Sequence, residues 1–213
     1  DQNGIPDLTY MWLSDPDHTA HAKGIGALET LRALKLVDAQ IARILKKIAE
    51  TGLKDSLNII VTADHGFSTH STGTNLSRIL KRNNLDNDAV IVGGAIYVRS
   101  GNKDQIAAIV AACQKDPAIG AIFTRAASPG SERGWVKGTL SHDLIHWNHA
   151  RSADILVTAN WSHEKNQYGY PGTTSLAGVA GHGTLSPYDI HATLIANGPA
   201  FKSAMRSAAP TAN

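Results

Sequence analysis

Between Ile25 and Glu50 the apolar residues Leu28, Leu31, Leu34, Val37, Ile41, Ile44, Leu45 and Ile48 return at intervals of three and four, and Gly52 follows the run. That spacing predicts a long helix with one apolar stripe, and a glycine just past its end is a common stop. The next apolar run, Leu57-Asn58-Ile59-Ile60-Val61-Thr62, reads as a short strand covered on both faces, of the kind parallel sheets contain. An earlier run, Leu8-Thr9-Tyr10-Met11-Trp12-Leu13, has the composition of a core strand. Strand, long helix and strand make a crossover unit, whose two strands should be parallel neighbours.

Alternation continues beyond that unit. The sequence predicts a helix over 76–82, strands over 89–92 and 95–98, a helix over 103–115, a strand over 119–124 and another over 153–158. "SPGSERG" is a loop, "HDLIHWNH" has helical character, and 168–183 reads as a long Gly-rich loop. A final helix is signalled by "SPYDIHATLIANG", with Ser186 as N-cap, Pro187 in the first turn, Asp189 at the positive end and Gly198 as terminator. The expected architecture is an α/β fold with a central, mostly parallel sheet sandwiched by helices.

Composition narrows the function classes. With 213 residues, 42% of them hydrophobic, the chain can bury a substantial core, and its length suits one domain or two small ones. Lys plus Arg exceed Asp plus Glu by only 20 to 18 and are scattered, so no nucleic-acid patch is visible. Cys113 stands alone, which excludes a disulfide within the chain and a cysteine-based zinc module; any metal must be held by His and carboxylates. No membrane segment is readable, because no apolar run reaches the length of a span, and no charged-then-apolar leader opens the chain. Asp1 is not Met and a strand-like run follows almost at once, so the chain reads as a processed or truncated product.

Three spots carry metal-binding chemistry. In "DPDHTAH", Asp17 and His21 lie four apart in the loop after the first expected strand; Asp64 and His65 end the second; His182 sits between Gly181 and Gly183 just before the last helix. Ligands in open α/β sheets bind at the C-terminal ends of the strands, where these loops would converge. Imidazole and carboxylate suit zinc, and five such ligands exceed what one catalytic zinc needs, so they divide naturally between two metals sharing a substrate. Plainer readings exist for each alone: a solvated Asp17–His21 pair, or His182 marking a turn. His142, His146 and His149 would stack on a helix if one forms there, His18 and His70 read as surface or supporting groups, and His191 as a core residue of the last helix.

Taken together and in this order, "DPDHTAH", "TADHGFST" and "GHGTLSPYDIHATLIANGPAFK" resemble the nucleotide pyrophosphatase/phosphodiesterase (type I phosphodiesterase) family of the alkaline phosphatase superfamily, over about residues 8–202. The resemblance implies an alkaline-phosphatase-like fold, with residues 1–213 forming the C-terminal part of a single catalytic domain that is incomplete at the N-terminus. It implies a hydrolase that uses two zinc ions on phosphodiester or pyrophosphate bonds of a small phosphate ester or nucleotide. Asp17, His21 and His182 match the ligands of one zinc; Asp64 and His65 match two ligands of the other. The family completes that second site with an earlier Asp and a Thr or Ser nucleophile, neither of which has a counterpart here, so the missing N-terminal half is expected to supply them and the chain alone is expected to be inactive. Phosphonoacetate hydrolase or phosphomonoesterase activity stands as the alternative, an inactive metal-binding fragment as another. A periplasmic or secreted setting is what the resemblance favours.

Overall fold

The structure is a computed structural model that describes residues 4–71, 73, 75–202 and 206. Five α-helices are described: α1 (Asp17–Lys23), α2 (Leu28–Glu50), α3 (Leu76–Arg82), α4 (Lys103–Cys113) and α5 (Pro187–Ile190). The strands are β1 (Ile59–Thr62), β2 (Ser68–His70), β3 (Ala89–Val92), β4 (Ala95–Val98), β5 (Ile119–Thr124), β6 (Leu140–Ser141), β7 (Ile155–Ala159), β8 (Trp161–Lys165), β9 (Pro171–Thr174), β10 (Ala180–Gly181) and β11 (Leu194–Asn197). They form three open sheets, in the orders β1-β11, β10-β2-β9-β8 and β3-β4-β7-β5-β6.

The hydrophobic core lies on the five-stranded sheet. Ile79 and Leu80 of α3 and Ile106, Ile109, Val110 and Cys113 of α4 pack on it, all of them 4% exposed or less. Both helices start on an asparagine whose side chain satisfies an otherwise free N–H: Asn75 accepts from Arg78, and Asn102 from Asp104 and Gln105. Burial pushes the Cys113 thiol up to about 11, with Asp116 adding to the effect, so this cysteine is an inert core residue.

Four sequence expectations are corrected. Residues 8–13 form no strand; Leu8, Tyr10 and Trp12 are each more than two-thirds exposed, so the apolar pattern finds no sheet partner among the described residues. The crossover unit is therefore absent, and β1 pairs instead with β11, antiparallel, in the register Ile59↔Asn197 to Thr62↔Leu194. Pairing is mostly antiparallel rather than mostly parallel; the parallel pairs are β2–β9 and β5–β6. The long amphipathic helix exists, but Leu28, Leu34 and Leu36 on α2 stay half or more exposed, because no layer within the described residues covers them.

Two loops hold more structure than their sequences suggested. "DPDHTAH" forms α1, held at its start by Asp15, whose carboxylate accepts the N–H and the hydroxyl of Thr19, and closed by Gly24. The Gly-rich segment 168–183 carries β9, whose threonines pair with β2 and β8, and β10, which pairs with β2. The last helix, conversely, is one turn long. Its chain turns extended at His191, which is exposed rather than buried, and residues 194–197 join β1 as a strand.

His142 lies fully buried in a 3-10 turn (His142–Ile145) after β6, edge-on to Trp147. Burial holds its pKa below the ordinary 6.5, against the opposing pull of the Phe123 backbone carbonyl. The folded state thus takes up this proton less readily than the unfolded chain, so its contribution to stability is complete above the unfolded value and is lost as pH falls through the folded one. Melting temperatures measured in a chelator near pH 7.5 and pH 5.5 should fall on acidification, and His142→Gln should shrink that fall; an unchanged fall would place the acid sensitivity elsewhere.

Candidate metal centre

Helix α1 fixes the first two candidate ligands. Positions four apart lie on one helical face, and His21 Nε2 comes within 3.4 Å of Asp17 Oδ1. The loop after β1 brings His65 Nε2 to 3.7 Å from that same oxygen and 3.5 Å from Asp64 Oδ1. His182, on the turn after β10, brings its Nε2 to 3.6 Å from Asp17 Oδ1. All five residues singled out in the sequence therefore meet at one place. Asp64 is the most open of them, its side chain 80% exposed, while His65 is only 23% exposed.

Hydrogen bonds orient two of the imidazoles. Nδ1 of His21 lies 3.1 Å from the Ala180 carbonyl, and Nδ1 of His65 lies 2.9 Å from the Gly66 carbonyl. A carbonyl can only accept, so each Nδ1 carries the proton, and in the neutral ring Nε2 presents a lone pair to the carboxylate. Metal-ligating histidines are held in this way. Asp17 Oδ1 is buried and has no hydrogen-bond partner. Lone pairs converging on an unpartnered carboxylate oxygen repel one another unless a cation sits among them.

The spacing fits such an ion. One ligand atom each from Asp17, His21 and His182 can be chosen so that all lie within 4.8 Å of one another. Tetrahedral zinc with bonds of about 2.0–2.1 Å needs ligand atoms roughly 3.3–3.4 Å apart, and the separations of 3.4 and 3.6 Å to Asp17 are close to that. Among the described residues this is the one three-ligand group of that kind. His142, His146 and His149 do not join it, because the chain there forms a 3-10 turn rather than a helix long enough to stack them.

Burial keeps His182 neutral to lower pH than a free histidine, helped by the nearby His65 and His21 and opposed by Asp17 and Asp189. Its ring stacks on that of His65, with centroids 3.3 Å apart and planes 10° from parallel. Phe67, which the sequence reading passed over, packs edge-on or tilted against His21, His65 and His182 at 4.9–6.1 Å and walls the cluster on its apolar side. Its place directly after Asp-His-Gly was the available signal. His70 is no ligand in this arrangement; its Nδ1 bonds the Ala177 carbonyl at 2.9 Å, and its ring fills the space beside Gly181.

The family model for type I phosphodiesterase / nucleotide pyrophosphatase matches residues 1–181. The chain belongs to this family. Human ectonucleotide pyrophosphatase/phosphodiesterase family member 7 is 35% identical over 63 residues, which cover 30% of this chain and 14% of that protein. Murine member 1 is 27% identical over 94 residues, covering 44% of this chain and 10% of that one. The solved structure of murine ectonucleotide pyrophosphatase/phosphodiesterase 5 superimposes with a TM-score of 0.61 at 19% identity, over 87% of this chain and 45% of that chain. The fold is thus that of the type I phosphodiesterases, and the chain spans less than half the length of these relatives.

If the cluster holds a cation, one of its own three residues should matter and a histidine outside it should not. In a titration of the chain with a divalent transition metal, His182→Ala should weaken the tightest site by roughly tenfold or more, and His146→Ala should leave it unchanged. Equal affinity in all three proteins would exclude this cluster.

Proposed function

We propose that this chain carries most of the metal centre of a zinc-dependent phosphodiesterase/nucleotide pyrophosphatase, with Asp17, His21 and His182 holding one zinc and Asp64 and His65 contributing to a second. The observation that carries the reading is the buried, unpartnered Asp17 oxygen with three imidazole nitrogens around it, in a chain of this family. Zinc, when bound, would supply Lewis-acid polarisation of a phosphoryl oxygen and lower the pKa of an attacking hydroxyl.

What the chain's own residues do is hold and orient. The Ala180 and Gly66 carbonyls aim the Nε2 atoms of His21 and His65 inward. Burial lowers the pKa of His182, which favours the neutral ring that a ligand requires. Phe67 limits access of water from one side. Asp64, the exposed carboxylate, lies toward the open side, where a phosphate ester could approach.

The reading assigns the nucleophilic Thr or Ser to sequence outside these 213 residues. Thr69 donates no hydrogen bond toward the cluster and instead accepts one from Asn166 at 3.0 Å; Thr72 and Thr74 lie outside the described residues. The same additional segment would cover the apolar faces left open on α2 and at 8–13. For the substrate, the family points to phosphodiester or pyrophosphate bonds, and murine member 5 has been solved in complex with AMP, which favours a nucleotide.

Two measurements test this. Elemental analysis after dialysis should find close to one zinc per 213-residue chain, because only one of the two ligand sets is complete. Turnover of a nitrophenyl phosphodiester, a nitrophenyl monoester and phosphonoacetate should then be compared between this chain and the complete gene product. The longer protein should prefer the diester, and the chain alone should fall short by several orders of magnitude, since orientation of a nucleophile is worth roughly 7–11 kcal/mol. Activity of the chain within tenfold of the longer protein would overturn the assignment of the nucleophile, and a preference for phosphonoacetate or the monoester would overturn the substrate class.

A further inference from the structure

Asp189 is only 3% exposed, and among the roles above it acts only as a charge near His182. Its Oδ2 accepts two bonds from one residue, the backbone N–H of Thr184 at 3.0 Å and the Thr184 hydroxyl at 2.6 Å. The same hydroxyl oxygen accepts the N–H of Ser186 at 3.0 Å. The carboxylate therefore closes the turn that starts at His182.

The backbone of the same residue closes the other ligand loop. The Asp189 carbonyl accepts the N–H of Gly66 at 2.6 Å, and the Tyr188 carbonyl accepts the N–H of Phe67 at 2.7 Å. The approach is so tight that a Cβ on Gly66 would lie 2.1 Å from the Tyr188 oxygen, so only glycine fits there. Gly66 follows His65 directly, and its own carbonyl orients that imidazole. One residue thus grips the His182 turn with its side chain and the His65 loop with its main chain.

Helix capping alone does not account for this. Ser186 already caps α5, accepting the N–H of Tyr188, and the second carboxylate oxygen, Oδ1, is buried with no partner. An incompletely paired buried carboxylate is costly, so its retention points to a geometric task. The two imidazoles that it indirectly holds lie ring on ring, 3.3 Å between centroids.

We infer that Asp189 is a positioning residue of the metal centre, fixing the His182 turn and the Asp64–His65 loop relative to each other. The inference rests on the metal reading above. Asn at this position keeps one oxygen able to take both Thr184 bonds, whereas Ala keeps none; the main-chain link to Gly66 survives in both.

The test is zinc affinity of the full chain, measured by competition with a chromogenic chelator, alongside the melting temperature of the metal-free protein. Asp189→Ala should weaken zinc binding by about tenfold or more, and Asp189→Asn should restore it to within about threefold of the native chain. A residue with a merely structural role would lower the melting temperature and leave affinity untouched; that result, or Asp189→Asn binding as weakly as Asp189→Ala, overturns the inference. Should Asp189→Ala fail to fold, Thr184→Val carries the test: it should weaken binding by about threefold while Thr184→Ser does not, and native affinity in Thr184→Val overturns the inference. A native chain that holds no zinc removes the metal reading and this inference together, whereas native-like binding by Asp189→Ala removes this inference alone.

Discussion

Acceptors facing acceptors are the constraint on which the rest of the site depends. Asp17 Oδ1 is buried without a hydrogen-bond partner, and the Nδ1 atoms of His21 and His65 face backbone carbonyls, which leaves their Nε2 atoms toward it. Such an arrangement costs energy in the apo chain, since neither the carboxylate nor the lone pairs are compensated. Protonating the imidazoles would relieve it, but burial of His182 opposes that for one of the three. A divalent cation would relieve all the contacts at once, and its binding would compete with protons for the same nitrogens.

Local geometry in three distant segments is subordinate to that convergence. Helix α1 is short because it need only place Asp17 and His21 on one face before Gly24 stops it. Gly181 lies where a Cβ would meet the His70 ring at 2.6 Å and His21 at 3.3 Å, so the strand can pass close behind the ligands only without a side chain. Helix α5 ends after one turn because the chain must return to pair β11 with β1, the strand that delivers Asp64 and His65. The sequence "SPYDIHATLIANG" has the caps and apolar content of a longer helix, and tertiary pairing overrides that propensity.

Most elements of the five-stranded unit, though not β6, were legible from the sequence, and those near the site were less so, for a physical reason. Helix α3, strands β3, β4 and β5 and helix α4 fall where the apolar pattern places them, because local preference agrees with the fold. The apolar stripe of α2 and the run at 8–13 were read correctly as apolar but wrongly as buried, since a pattern reports which face seeks cover and not whether these residues provide it. Strands β8 and β9 escaped notice because "WSHEK" and "PGTT" lack apolar alternation and are held by partners across the sheet. The residue types and order singled out in the sequence are those that the fold brings together, Asp17, His21, Asp64, His65 and His182. The supporting Ala180 and Gly66 carbonyls were not legible, because a backbone acceptor has no signature in sequence, and Asp189 was read only as a helix-start residue because its partner Thr184 is identified by the fold.

Stability and site geometry consequently reside in different parts of the chain. The hydrophobic cluster is drawn from residues 79–157, together with partly buried neighbours such as Leu76 and Trp135, whereas the five candidate ligands come from 17–65 and from 182. What joins the ligand segments is polar and directional: the Ala180 carbonyl on His21, the Asp189 links to Thr184 and Gly66, and a two-stranded ladder between β1 and β11. Apolar packing tolerates small shifts, because its energy is spread over many weak contacts. Hydrogen bonds with fixed angles do not, and they hold nitrogen atoms to within the few tenths of an ångström that a metal requires. A fold that carries its core in one segment and its ligands in others can therefore vary the core without moving the ligands, provided that this small set of polar links stays intact.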